Sequence, residues 1–236
     1  MRTKTLLLSG VVAALSSASL MAQVYSLNAV GYINVTCPVG FSIIANQLNT
    51  GNNVITNLIH VDPAGSMDGD TIYKYVNTGT SSTSGYHAVL SADSLNPPYY
   101  WDGSDPTTTT LNPGEAAFFY NANPTPLTLT FVGTVLQGSL TNQMIPGFNL
   151  ISSLVPQGGT LFTALGIALD PAGSDDGDTV YIMDSGKYDQ VSSIDSLNPP
   201  SYLDGTQAPS VAVGQGFFYY RGNPTTQFWI RNFNVN

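Results

Sequence analysis

The chain has 236 residues, 15 of them acidic against six basic, and a formal net charge of −9. That balance excludes nucleic acid, whose phosphates need a basic surface, and anionic membranes as partners. A single cysteine, Cys37, rules out an intrachain disulfide and reads as a small buried hydrophobe.

At the N-terminus Arg2 and Lys4 precede an apolar run from Leu6 to Leu15 and then small residues. This is the pattern of a secretory signal peptide, too short and wrongly flanked for a membrane span. Cleavage is expected after Ala22, so that 1–22 is leader and the mature chain is secreted, extracellular or periplasmic, in a bacterium. The leader holds two of the six basic residues and none of the acidic ones, which leaves the mature chain at −11. No later stretch reads as a membrane span.

The mature chain is a duplication. Asp62-Pro63-Ala64-Gly65-Ser66-Met67-Asp68-Gly69-Asp70-Thr71-Ile72-Tyr73 returns as Asp170-Pro171-Ala172-Gly173-Ser174-Asp175-Asp176-Gly177-Asp178-Thr179-Val180-Tyr181, with two differences. In the same order, Gly40–Ile44 matches Gly147–Ile151, Asp93–Pro98 is identical to Asp195–Pro200, and Pro113–Tyr120 matches Val213–Tyr220. The offset falls from 107 at Gly40 to 100 at Pro124, so the copies differ by small indels, expected in loops. A fixed repeat sets the reading frame for the fold. The expected division is 23–134 for the first β repeat and 135–236 for the second.

Within each copy, Thr, Val, Ile, Tyr and Phe are frequent, and Gly and Pro cut the chain into strand-length pieces. Strands are predicted in the first copy at 30–36, 41–45, 71–76, 86–90, 115–120 and 127–135. In the second they are predicted at 136–140, 148–152, 179–183, 188–191, 216–220 and 227–235. Leu127, Leu129 and Phe131 alternate onto one face. One short helix per copy is expected, at Asn53–Ile59 and at Leu161–Ile167 with Thr160 as its N-cap. Val30-Gly31 echoes Val132-Gly133, so each copy is expected to open on a Val-Gly strand, with a strand shared near Phe131–Gln137. The fold class is all-β: two tandem sandwich-like or small-barrel repeats.

Three features bear on function. Asp62, Asp68 and Asp70 match Asp170, Asp176 and Asp178, and Asp175 adds a carboxylate to the second loop. Calcium takes several oxygen ligands from such loops, so these seven residues are candidate Ca²⁺ ligands, the second loop the tighter. They do not follow the EF-hand spacing, and turn chemistry explains them equally. Tyr99, Tyr100 and Trp101 form a candidate carbohydrate platform, since rings stack on sugar faces. The competing reading is a capped turn, with Asp93 or Asp195 as cap and the following Leu anchored in the core. The aromatic runs Phe118-Phe119-Tyr120 and Phe217–Tyr220 read as strands buried on both faces.

Catalytic constellations are not legible. His60 aligns with Ala168, Glu115 with Gln215, and no Ser/His/Asp or Cys/His set has recognisable spacing. Val24–Tyr32, Gly40–Asn46, Pro113–Phe118 and the ending Arg231–Asn236 together resemble a group of exported bacterial repeat proteins of the kind found in Verrucomicrobia. That resemblance implies a repeated β scaffold with no assigned activity, and so carries over no catalytic residue. The expectation is a non-catalytic structural or adhesive protein of the cell surface or extracellular matrix, with itself or a cell-surface polysaccharide as partner. The alternatives are a carbohydrate-binding module and a Ca²⁺-stabilised binding module.

Overall fold

The computed structural model describes residues 29–184, 186–199, 201–204 and 208–235. The expected leader lies outside them. The first copy runs β1 (Val30–Cys37), β2 (Gly40–Ile44), α1 (Ile55–Leu58), β3 (Thr71–Val76), β4 (Gly85–Ala92), β5 (Trp101–Gly103), β6 (Ala117–Asn121) and β7 (Leu127–Thr134). The second runs β8 (Gly138–Met144), β9 (Gly147–Ile151), β10 (Gly159–Thr160), β11 (Thr179–Asp184), β12 (Lys187–Ile194), β13 (Leu203–Asp204), β14 (Ser210–Val211), β15 (Phe217–Arg221) and β16 (Gln227–Phe233).

Each copy is a five-stranded antiparallel sheet covered by a two-stranded ribbon. In the first the sheet order is β2-β6-β3-β4-β5 and the ribbon β1-β7; in the second they are β9-β15-β11-β12-β13 and β8-β16. The sheets remain open, so the architecture is sandwich-like and not a barrel. The ribbons bury alternate residues. Ile33, Val35, Leu129 and Phe131 face the first core, with Cys37 fully buried beside them, and Trp229 faces the second. Burying a side chain of this size stabilises the fold by about 1.5–3 kcal/mol.

The Val-Gly echo has a different meaning from the one expected. Gly133 lies in β7 and pairs with Gly31 of β1, so the two segments are partners within one copy. A Cβ on Gly133 would lie 2.8 Å from the Asn49 carbonyl oxygen, which explains the glycine. The second copy opens later, at β8, and no strand is shared.

The expected helices shrink. Val54 is extended and bridges to Thr110, which confines α1 to four residues. Over 161–167 the structure has turns in place of a helix. Gly159 and Thr160 pair with Val211 and Ser210, the Ala164 and Leu165 amides both donate to the Thr160 carbonyl, and Gly166 turns left-handed at φ 71°. The Thr160 hydroxyl does accept the Ala164 amide, at 3.3 Å, but it caps a single turn.

The two sheets meet across a pseudo-two-fold seam. Ile44 bridges to Gln215 as Ile151 bridges to Glu115, and each pair is the other's repeat equivalent. The Ala45 amide donates to the Gly214 carbonyl at 2.8 Å, and the Ser152 amide to the Gly114 carbonyl at 2.9 Å. Phe118 and Phe218, also equivalents, lie 5.8 Å apart in a third buried cluster that joins the copies. Such reciprocal contacts are the signature of an isologous interface. Phe118 and Phe119 are thus both buried, as expected, Phe119 against its own core and Phe118 against the sister copy, while Tyr120 is only partly buried.

Candidate binding face

The loop aspartates hold turns and join segments. Asp62 accepts the Ala64 amide at 2.9 Å and the Ser66 hydroxyl at 2.7 Å, and Asp170 accepts the Ala172 amide at 2.9 Å. The Ala64 amide, with help from Ser66, holds the Asp62 carboxyl below its usual range; Ser174 and the Ala172 amide do the same for Asp170. Asp68 clamps Ser94 through its amide and its hydroxyl, both at 2.7 Å, as Asp176 clamps Ser196. These bonds tie the repeated acidic loop to the repeated Asp-Ser-Leu-Asn loop.

Asp70 and Asp178 are both fully buried, but their surroundings differ. Asp178 accepts the Gly222 amide at 2.8 Å, and its other oxygen lies 2.6 Å from Arg221 Nη1 and 2.7 Å from the Tyr219 hydroxyl. Asp175 accepts the same Nη1 at 2.8 Å and the Asp170 amide at 2.9 Å. The extra carboxylate of the second loop therefore serves a buried guanidinium. In the first copy Met67 stands for Asp175 and Asn121 for Arg221. There Asp70 Oδ1 accepts the Ala122 amide and the Asn123 side chain, while Oδ2 is buried with no partner among the described residues. Burial raises the Asp70 carboxyl above its usual range. Among the described residues no three His, Cys, Asp or Glu side chains converge as a metal site. The seven candidate calcium ligands are thus distributed over three separate turn and packing roles.

The Tyr99-Tyr100-Trp101 triplet does not form a platform. Trp101 is buried in the first core, Tyr100 packs against it, and only Tyr99 is exposed. What the copies share here is backbone: Tyr100 and its equivalent Tyr202 both take positive φ, at 60° and 55°. The leucine of the shared loop is not a core anchor either. Asp93 and Asp195 do cap the turn, accepting the amides of Leu95 and Leu197, but those leucines are 88% and 87% exposed.

The feature missing from the sequence reading lies on the other face of each sheet. Phe41, Tyr73, Tyr86, Val89, Phe118 and Tyr120 recur as Phe148, Tyr181, Tyr188, Val191, Phe218 and Tyr220. Phe41 stacks against Tyr120 with centroids 4.8 Å apart and Phe148 against Tyr220 at 4.9 Å, both tilted by about 50°. The seam covers the Phe118 and Phe218 end of each face. The other end stays half open, with Phe41 40% and Phe148 41% exposed. The signal for this face was the identity of the two copies at alternating strand positions.

No protein-family model, curated protein or solved structure matches the chain. The site rests on its own geometry.

Each aromatic face is walled by a hairpin from the sister copy. Between β3 and β4 the first copy has eight residues, 77–84; between β11 and β12 the second has two, 185–186. The long loop reaches the second copy's face, where Asn77 Nδ2 donates to the Pro146 carbonyl at 2.9 Å. The short hairpin brings Met183 and Gly186 to the first copy's face.

Tyr86 lies where the two faces approach. Burial, with Tyr188 and Tyr75 adding to it, pushes its phenol up to about 12. No helix among the described residues is long and apolar enough to cross a membrane.

Proposed function

We propose that the chain is an exported, non-catalytic structural or adhesive protein of the cell surface or extracellular matrix. One observation carries this reading: apart from the loop leucines Leu95 and Leu197, the large apolar side chains that both copies keep and leave exposed are rings and valines of the aromatic face, Phe41, Tyr86 and Val89 with Phe148, Tyr188 and Val191. A half-exposed face of this kind, kept twice, suits contact with another surface. The shared carboxylates support the same reading, because they are engaged in fixing loops. The resemblance to exported bacterial repeat proteins agrees with it.

The test is co-sedimentation of the purified mature chain with cell-envelope and matrix fractions, beside its oligomeric state in solution. Retention by one of these fractions, or concentration-dependent self-association, is expected. A monomer that stays wholly in the supernatant with every fraction overturns the proposal.

A further inference from the structure

The geometry points to the cleft over Phe148 and Tyr220 as a binding site for a neutral oligosaccharide or polysaccharide chain, a reading that rests on the adhesive function and deepens it. The cleft encloses about 420 Å³, within the usual size of small-ligand sites of about 300–1,000 Å³. Its floor is aromatic: Phe148, Tyr220 and Tyr75. Its wall is the long hairpin of the first copy, which contributes Asn77, Thr80 and Ser81. A pyranose ring has the matching division. Its C–H face is apolar and stacks on an aromatic ring, while its equatorial hydroxyls need donors and acceptors at the edge.

Internal comparison shows what the long hairpin adds to the wall. The cleft over Phe41 in the first copy, of about 380 Å³, meets Met183 and Gly186 of the sister copy's short hairpin, where the cleft over Phe148 meets Asn77, Thr80 and Ser81 of the long one. The six extra loop residues therefore give the cleft over Phe148 a hydrogen-bonding side beside its aromatic floor. Asn77 is held in place by the Pro146 carbonyl, and its Oδ1 accepts the Gly79 amide at 2.9 Å and the Ser84 hydroxyl at 3.1 Å, so the wall is pre-organised. Ser81 is exposed, and among the described residues its hydroxyl has no partner. No lining residue is charged, and the chain is strongly acidic, which selects neutral sugars over polyanions.

The experiment is calorimetric titration of the mature chain with the hexaoses of cellulose, xylan, chitin and β-1,3-glucan. At least one is expected to bind with one site per chain. Phe148→Ala should weaken it by more than about tenfold, as loss of a stacking ring does. Ser81→Phe, which fills the cleft from an exposed loop and leaves the core alone, should do the same. Replacing 77–84 by Ser-Gly, the second copy's hairpin, should abolish binding. Absence of binding by all four hexaoses overturns the inference, as does binding that survives Ser81→Phe. Retention by envelope material that survives Ser81→Phe would leave adhesion standing and remove this site from it.

Discussion

Ala116 and Gly216 face each other across the pseudo-two-fold seam so closely that a Cβ on Gly216 would lie 2.2 Å from the Ala116 methyl. They are repeat equivalents, and only one of them can carry a side chain. Gly216→Ala is expected to destabilise the chain by about 1–3 kcal/mol through overpacking. Adding Ala116→Gly should recover most of the loss, though not all, because Ile43 Cγ2 would still be 2.8 Å from the new methyl. Thermal or denaturant melts of the two single variants and the double variant measure this coupling.

Arg221 is the cation between Asp175 and Asp178, and all three are buried. Arg221→Asn, which installs the first copy's residue, should cost about 3–5 kcal/mol, because it leaves two carboxylates buried without a counter-charge. Combining it with Asp175→Met, again the first copy's residue, should return a substantial part of that loss. Denaturant unfolding of both variants gives the comparison. Equal destabilisation of the single and the double variant would contradict the assignment of Asp175 to Arg221.

Asp70 gives a pH dependence of defined sign. Burial raises its carboxyl above the ordinary 3.8, so the folded state favours the protonated form. The stability it contributes is complete below pH 3.8 and is lost as the pH rises through its folded value. Asp70→Asn, which is neutral throughout, should remove this slope, and near neutral pH the variant should be at least as stable as the parent. Asp62 and Asp170 act in the opposite sense. Their depressed values contribute stability above 3.8 that is lost as the pH falls through the folded values. Melting temperatures across the acid range, for parent and Asp70→Asn, separate the two contributions.

Lys74 is buried and pairs with Glu115 at 3.0 Å. The second copy has Ile182 and Gln215 at these places. Glu115→Gln alone should cost about 1–3 kcal/mol, the penalty of a buried ammonium losing its partner. Lys74→Ile alone should cost less, because Glu115 is 41% exposed and water can solvate it. The double variant reproduces the second copy and should lie near the parent, as buried pairs replaced by packed side chains often do. The four melting curves of this cycle are the measurement.

Both pairs of changes are legible in the aligned copies. Met67 with Asn121 becomes Asp175 with Arg221, and Lys74 with Glu115 becomes Ile182 with Gln215. The strands were legible because Gly and Pro bound them and alternation sets their inward faces. The helices were not, because the apolar spacing at 161–167 also fits a single closed turn, and the pairing of Gly159 with Val211 and the left-handed backbone at Gly166 decide between the two. Exposure was the least legible property. Leu95 looked like a core anchor and lies outside, and Trp101 looked like a surface ring and lies inside. Neither position follows from local spacing, since each depends on how the loop crosses the sheet edge. The aromatic face escaped for a related reason: its rings are spread over four strands, and only the sheet order brings them together.

The seam has the contacts of a two-fold dimer, but its halves belong to one chain, joined by the three residues between β7 and β8. A dimer of separate subunits comes apart on dilution, since its association depends on protomer concentration. Here the second half is always present at the high effective concentration that a short tether gives. The aromatic faces and the hairpins that wall them therefore stay assembled however few molecules surround the chain.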